Sequence, residues 1–400
     1  MRILQINSVC GVGSTGRITT DLYKVLIEQG HEGCIAYGRG TSPKEVNSFR
    51  MGSDLEVYLH ALYTRVTDQM AFASRKATKK LIKKIMKYKP DIIHLHNIHG
   101  YYINIDLLFH YLKESEIPVV WSLYDCWSFT GHCCHFDYIG CDKWKSVCNK
   151  CAQKKEYPAS FLMDHSKKNY LRKRKIITSC NHMVIVPPTQ WLADLLPDSY
   201  LNKFESTIIP SGIDLQVFKP THNNLRTIYK LEHRYIVLGV SNGFGKFKGS
   251  TYFIQLAKKL PDDYQLILLG VNEEQKRFFP EEVLALPRTN NTMELAQFYT
   301  AADVFVNPTL QESQGLTNIE ALACGTGVVT FNSGGCPESI DENCGYVVER
   351  DDLEGLIESV IKACVHPFDR NACVHRAQLY DKTKLCNEYI KLYNNLLAHS

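Results

Sequence analysis

Long apolar runs are missing from this chain of 400 residues. Nowhere do about 18 apolar residues follow one another, which excludes a membrane-spanning helix. The opening MRILQINSVC has one short apolar run and no small-residue cleavage site, so the expectation is a protein neither secreted nor embedded, located in the cytoplasm. A large charge of one sign is also missing. The formal net charge of +4 neither demands nor excludes an anionic partner until its distribution is read, and no nucleic-acid partner is expected. Short repeats and low-complexity tracts are absent as well, which removes solenoids and propellers from consideration.

What is present is more specific. A content of 44% hydrophobic residues can bury two ordinary cores, so two domains are expected. Apolar runs of strand type at 2–9, 33–37, 91–96, 119–123 and 182–186 alternate with helical spacing such as Ile18, Leu22, Val25 and Leu26. After Pro210 the alternation restarts, with runs at 235–240, 264–269, 304–306 and 328–330 and helical stretches at 250–259 and 293–300. Such alternation predicts an α/β protein with two parallel, doubly wound sheets. The segment 382–397 carries Leu385, Tyr389, Leu392, Tyr393 and Leu396 at helical spacing and should be a packed helix.

The most informative segment is NPTLQESQGLTNIEALACG, residues 307–325. A strand ends at Asn307-Pro308, a polar loop carries Glu312, and a helix is expected from Gly315 or Leu316 to Gly325, whose glycine suits a helix C-cap. The helix N-terminus therefore opens where phosphate is attracted, and Glu320 shares a face with Leu316 and Thr317. Glu320 can accept two hydroxyl hydrogen bonds, as a ribose offers, with Glu312 beyond the phosphate where a sugar would lie. A second loop, VSNGFGKFKG at 240–249, again joins strand to helix and carries Ser241, Asn242, Lys246 and Lys248. The first loop, Gly11-Val-Gly13-Ser-Thr-Gly16, satisfies the dinucleotide fingerprint literally. A dehydrogenase needs an acid at the end of the second strand, and Ile35-Ala-Tyr-Gly-Arg39 offers none, leaving only an NADP reading through Arg39.

The 307–325 segment, with its two glutamates eight positions apart, resembles the donor-site signature of retaining family 4 glycosyltransferases. So do Pro210-Ser-Gly-Ile-Asp214-Leu-Gln-Val-Phe218, Gly334-Gly-Cys-Pro-Glu338-Ser-Ile and Asn343-Cys-Gly-Tyr-Val. The resemblance is nearest to the colanic-acid and capsule type of bacterial polysaccharide transferase. It implies the GT-B architecture, in which two Rossmann-like domains face across a cleft and a C-terminal helix crosses back onto the first. The expected boundaries are 1–212 for an acceptor-side domain, 213–372 for a donor domain and 373–400 for the returning helix.

The resemblance further implies transfer from a UDP- or GDP-linked sugar to a hydroxyl of a saccharide acceptor, lipid-linked, with retention and without a required metal. Glu312 would position the donor sugar and Lys248 would stabilise the departing diphosphate. Gly13, Ser241, Asn242, Lys246, Gly315, Leu316, Thr317 and Glu320 would complete the donor site. Arg17, His96 and Tyr124 would lie on the acceptor side. Asp125 and His132 would join the chemistry, because the pattern normally carries histidine before the aspartate and this chain has Tyr124, leaving His96 or His132 to relay a proton. A nucleotide-sugar epimerase of the same fold, an NADP oxidoreductase and a non-catalytic synthesis partner are the rival readings.

Two features stand outside that scheme. Residues 74–89 (SRKATKKLIKKIMKYK) hold eight Lys or Arg and no acid around a partial apolar stripe, and 167–175 (KKNYLRKRK) adds a second basic cluster. Such a face either lies on the anionic inner face of a cell membrane or is simply solvated. The chain also has 15 cysteines, most of them read as reduced thiols of a cytosolic protein. Those within an insertion at 131–158 read CCHFDYIGCDKWKSVCNKC. Cys133, Cys141, Cys148 and Cys151 form C-x7-C-x6-C-x2-C, with Cys134, His132 and His135 as alternative ligands. A structural zinc stabilising a polar segment with little core of its own is expected, with an iron–sulfur cluster or disulfides as the alternatives.

Overall fold

A computed structural model describes residues 1–289 and 291–398. Parallel strands covered on both faces must be apolar throughout, which is why the uninterrupted runs become strands and the helical stretches cover them. The first sheet contains β1 (Arg2–Asn7), β2 (Glu32–Tyr37), β3 (Ser48–Arg50), β4 (Ile92–Leu95), β5 (Val119–Ser122) and β6 (Met183–Val186), in the order β3-β2-β1-β4-β5-β6. The second contains β7 (Tyr235–Val240), β8 (Tyr264–Leu269), β9 (Leu284–Leu286), β10 (Val304–Asn307), β11 (Val328–Phe331) and β12 (Gly345–Val348), in the order β12-β11-β10-β7-β8-β9. Every pairing is parallel, and each sheet repeats the doubly wound order. β3, β9 and β12 have no counterpart among the sequence runs. All three lie at sheet edges, where only one side needs a partner and no long apolar run is required.

The chain divides into two units, Met1–Pro210 with the residues from Thr383 onward, and Ser211–Lys382. The sequence boundary at 212 is thus close, but the return to the first unit occurs at Thr383 and not at 373. The helix Arg370–Ala377 instead belongs to the second unit and buries Cys373 and Ala377 in its core. The helix Lys382–Ala398 closes the first unit. Cys386, Tyr389, Ile390 and Tyr393 are buried against Ile3, Leu22, Ile92 and Val120. Its tyrosines also complete a buried polar chain, in which Tyr393 Oη lies 2.7 Å from His94 Nδ1, His94 Nε2 2.8 Å from Ser122 Oγ, and Ser122 Oγ 2.7 Å from Tyr389 Oη.

Burial gives the first unit an acid sensitivity. Desolvation lowers His60 to about 4 and His96 to about 3, and lowers His94 well below its ordinary value. These imidazoles are neutral when folded, whereas the unfolded chain protonates them below about 6.5, so stability must fall as pH falls through that value. At His132, desolvation opposes the charge but Asp68 overcomes it and raises the pKa, which offsets one of the three in the opposite sense. The expected loss between pH 6.5 and 5 is on the order of 4 kcal/mol. Melting curves of the full chain that stayed flat over that range would contradict it.

Candidate functional site

In a doubly wound sheet the connections leaving two neighbouring central strands run in opposite directions, opening a crevice at their carboxyl ends. In the second unit those strands are β7 and β10. The loop after β7 carries Lys248 and the loop after β10 carries Glu312, and the two side chains form an ion pair. Backbone contacts hold the loops in register. Leu310 N–H donates to Phe247 O at 2.9 Å and Thr309 Oγ1 donates to the same oxygen at 3.0 Å. Gly249, at φ +76°, lies where a Cβ would meet Pro308 O at 2.3 Å. Gly334 likewise admits the Glu312 carbonyl to 1.8 Å of where a Cβ would stand, and Gly335 N–H donates to that carbonyl at 3.1 Å.

Desolvation works against the Lys248 charge, yet Glu312 overcomes it and raises the pKa, so the ammonium persists at neutral pH. The Lys248 side chain is 41% exposed and that of Glu312 is 29% exposed. Both are therefore accessible to a ligand. Beside them the helix Leu316–Ala323 starts after Gly315 at φ +72°, with no side chain capping its first turn. Its leading N–H groups lack intrahelical acceptors. Asn318, in that turn, accepts from Asn307 Nδ2 at 2.8 Å, and Gln314 is clamped by two bonds to the Ser211 backbone, at 2.9 and 3.0 Å.

Glu320 lies deeper than the sequence suggests, 5% exposed, with Tyr299 Oη donating to Oε2 at 3.0 Å. Ser241 Oγ is turned onto Gly243 O at 2.9 Å, and Asn242 Oδ1 accepts from Arg288 Nη1 at 3.0 Å. Arg288 was not singled out in the sequence. It follows β9, and an isolated arginine in a loop carries no motif. Lys246 opens the short turn Lys246–Lys248 and is exposed.

In the first unit the corresponding central strands are β1 and β4. After β1, Gly13 begins the helix Gly13–Glu28 at φ +67°, with open space where a Cβ would point and Arg17 exposed one turn on. After β4 and β5, His99 Nε2 lies 2.8 Å from Asp125 Oδ2, and His99 Nδ1 lies 3.2 Å from Tyr157 Oη. Desolvation opposes ionisation of Asp125, but His99 and the Trp127 N–H bring its pKa below the usual value. A permanent carboxylate therefore holds the proton on Nε2 and leaves Nδ1 as the basic nitrogen. These groups line a small recess with His96, Tyr124 and Trp127.

The relay roles expected of His96 and His132 are corrected by this geometry. His96 is 1% exposed, with Nδ1 on Tyr124 Oη at 2.8 Å and Nε2 on Gln5 Oε1 at 2.9 Å, and desolvation lowers its pKa to about 3, so it does not take up a proton near neutral pH. His132 is 2% exposed and pairs with Asp68, another buried residue. Neither reaches the His99–Asp125 pair by any hydrogen bond among the described residues. His99 was not singled out in the sequence, and its selection depends on a partner 26 positions away.

Residues 234–365, which include Lys248, Glu312 and Glu320, match the family described as Glycosyl transferases group 1. The matched stretch lies wholly within the second unit. Over 420 aligned residues this chain is 22% identical to the putative colanic acid biosynthesis glycosyl transferase WcaC of Escherichia coli, covering 99% of this chain and 100% of that one. Among solved structures it is similar to sucrose-phosphate synthase from Thermosynechococcus elongatus, with a TM-score of 0.74, 17% identity and full coverage of both chains. It is also similar to Anabaena HepE in complex with UDP-glucose, with a TM-score of 0.66 and 14% identity, covering 99% of this chain and 100% of that one. These likenesses assign the GT-B fold. The chain thus places its Lys248–Glu312 pair at the switch point of one Rossmann-like unit and its His99–Asp125 pair at that of the other.

Proposed function

We propose that this protein is a glycosyltransferase that moves a sugar from a UDP- or GDP-linked donor to a hydroxyl of a lipid-linked saccharide, with retention, during assembly of a bacterial surface polysaccharide. The observation that carries the reading is the Lys248–Glu312 pair beside the uncapped helix Leu316–Ala323. Breaking the bond from the anomeric carbon to the phosphate oxygen leaves charge on the diphosphate. A fixed ammonium and helix N–H groups stabilise that charge without a metal. Glu312, on the same ammonium, holds hydroxyls of the donor sugar, and Tyr299 orients Glu320 towards the ribose. On the first unit, His99 and Asp125 orient the acceptor hydroxyl and accept its hydrogen bond. The bond formed joins that oxygen to the anomeric carbon, and its proton leaves for the departing phosphate on the retaining route.

The bound UDP-glucose of HepE and the colanic-acid role in the name of WcaC support the donor class and the pathway. A thermal-shift panel of nucleoside diphosphates and their sugars tests the donor. A ligand at 100 times its dissociation constant should stabilise the protein by about 2.7 kcal/mol. A panel in which neither UDP nor GDP compounds raise the melting temperature sinks the reading.

A lipid-linked acceptor also calls for a membrane-facing surface. The helix Asp54–Thr67 buries His60 and Thr64 while leaving Leu55, Tyr58, Leu59, Leu62 and Tyr63 exposed, the reverse of an ordinary surface helix. The basic helix Arg75–Tyr88 follows, buried through Ala77, Leu81 and Ile85 with most of its lysines exposed. Each such cation near an anionic surface contributes about 1 kcal/mol. Co-sedimentation with phosphatidylglycerol vesicles, but not with phosphatidylcholine alone, is the expected outcome. Replacing Leu59 and Leu62 by glutamate should lower it by about tenfold, and equal binding to both vesicle types would disprove the contact.

A further inference from the structure

Between Leu123 and His165 the chain of the first unit has no strand and no α-helix, only the short turns Trp127–Phe129, Asp137–Ile139 and Lys143–Lys145. The segment nevertheless has a core, contrary to the expectation of a polar insertion. Phe136 stacks on Trp144 at 4.8 Å and Phe129 meets Trp144 edge-on at 5.3 Å. The four-sulfur site expected from the cysteine spacing is not assembled. No three of Cys133, Cys141, Cys148 and Cys151 bring their sulfurs within 4.8 Å of one another.

The segment instead covers a cation. Lys173, on the helix Ser166–Ile177, is 1% exposed and donates to Trp127 O, with its ammonium 3.9 Å from the centroid of the Trp127 ring. Asp68, across a small cavity, is paired with His132, and Asp125 is paired with His99. Neither a carbonyl oxygen nor an indole face neutralises an ammonium, so this charge costs stability where it lies. Holding the fold together is therefore a poor account of it.

Trp127 carries the contact onward to the acceptor side. Its carbonyl accepts from Lys173, its N–H donates to Asp125 Oδ1 at 2.8 Å, and Asp125 Oδ2 lies 2.8 Å from His99 Nε2. The Trp127 ring also packs against the His99 ring, with centroids 5.2 Å apart. One residue thus joins ammonium, carboxylate and imidazole through both its backbone and its ring. The same turn has a separate anchor, because Tyr200 Oη donates to Ser128 O at 2.5 Å. We propose that Lys173 is a positioning residue for sugar transfer, which through Trp127 fixes how Asp125 and His99 face the acceptor hydroxyl. The inference rests on the acceptor-side reading of His99 and Asp125 given above.

The test uses the full chain and Lys173→Met, which keeps the bulk and removes the charge. A readout that needs no substrate is the NMR spectrum of the histidine ring nitrogens, with the His99 signals identified by their absence in His99→Ala. They should show the proton on Nε2 in the unaltered protein and a mixture of tautomers in Lys173→Met. Transfer to a panel of octyl glycosides, from whichever nucleotide sugar raises the melting temperature, should fall by about 10²-fold in turnover, the scale of misplacing a reacting group, with the KM for the donor unchanged. The lost donor to Trp127 O and the relieved burial of charge act in opposite senses, so the melting temperature should move by less than about 4 °C. Because Lys173 acts through Asp125, adding Lys173→Met to Asp125→Asn should cost less than about twofold beyond Asp125→Asn alone. Unchanged His99 signals, losses that multiply in the double variant, or a Lys173→Met chain that does not fold would each overturn the proposal. Transfer indifferent to His99→Ala would sink the acceptor-side reading and this inference with it, whereas transfer lost in His99→Ala and kept in Lys173→Met sinks the inference alone.

Discussion

Replacing Lys248 by alanine is expected to lower turnover by about 10²- to 10³-fold, the scale of losing one preorganised donor to a developing anion. Folding should hardly change. The ion pair with Glu312 is partly open to water on both sides, and exposed pairs of this kind contribute about 0–1 kcal/mol. The two effects can therefore be separated in one experiment, following nucleoside diphosphate release beside a melting curve. Lys248→Arg should recover only part of the loss, because a planar guanidinium does not reproduce a compact ammonium. Turnover within about threefold of the unaltered enzyme, or a collapse of the melting temperature that accounts for the loss, would remove Lys248 from the chemistry.

His99→Ala should lower transfer to the acceptor by about 10²-fold, the scale of misplacing a reacting group. The nucleotide-induced rise in melting temperature should persist, since His99 and Lys248 lie in different units. Asp125→Asn tests the tautomer directly. An amide can no longer hold the proton on Nε2 with a full charge, so a loss approaching that of His99→Ala is expected. His132→Gln is the contrast. It breaks the fully buried pair with Asp68, which should destabilise the fold by about 3–5 kcal/mol. Once the variant is folded, its turnover should remain. If His132→Gln were inactive at full stability and His99→Ala active, the assignment would be reversed.

The donor side was largely legible because its chemistry is local. Pro308 to Gly325 is one continuous strand-to-helix connection, and the predicted helix start and the glycine after its end are where the structure has them. Lys248 is separated from Glu312 by 64 positions, but both follow apolar runs that become adjacent strands. Glu320 lies in the expected helix. Its burial under Tyr299 was not visible, since Tyr299 belongs to another helix. On the other unit His94, His96 and His99 are all buried, and what distinguishes His99 is its contact with Asp125.

The order of apolar runs, the glycine positions and the charge pattern by themselves determined two doubly wound sheets, the loops that bear the donor-site residues and a basic helix. Those properties depend on a residue and its near neighbours, through side-chain period, backbone permissiveness and helix capping. Only the tertiary structure decided that His99 and not His132 meets Asp125, that the final helix rejoins the first unit at Thr383, and that Tyr299 meets Glu320. Each of those outcomes depends on which distant group supplies a hydrogen-bond partner or removes water from a charge, and such pairings exist only once the sheets have brought separate stretches of chain together.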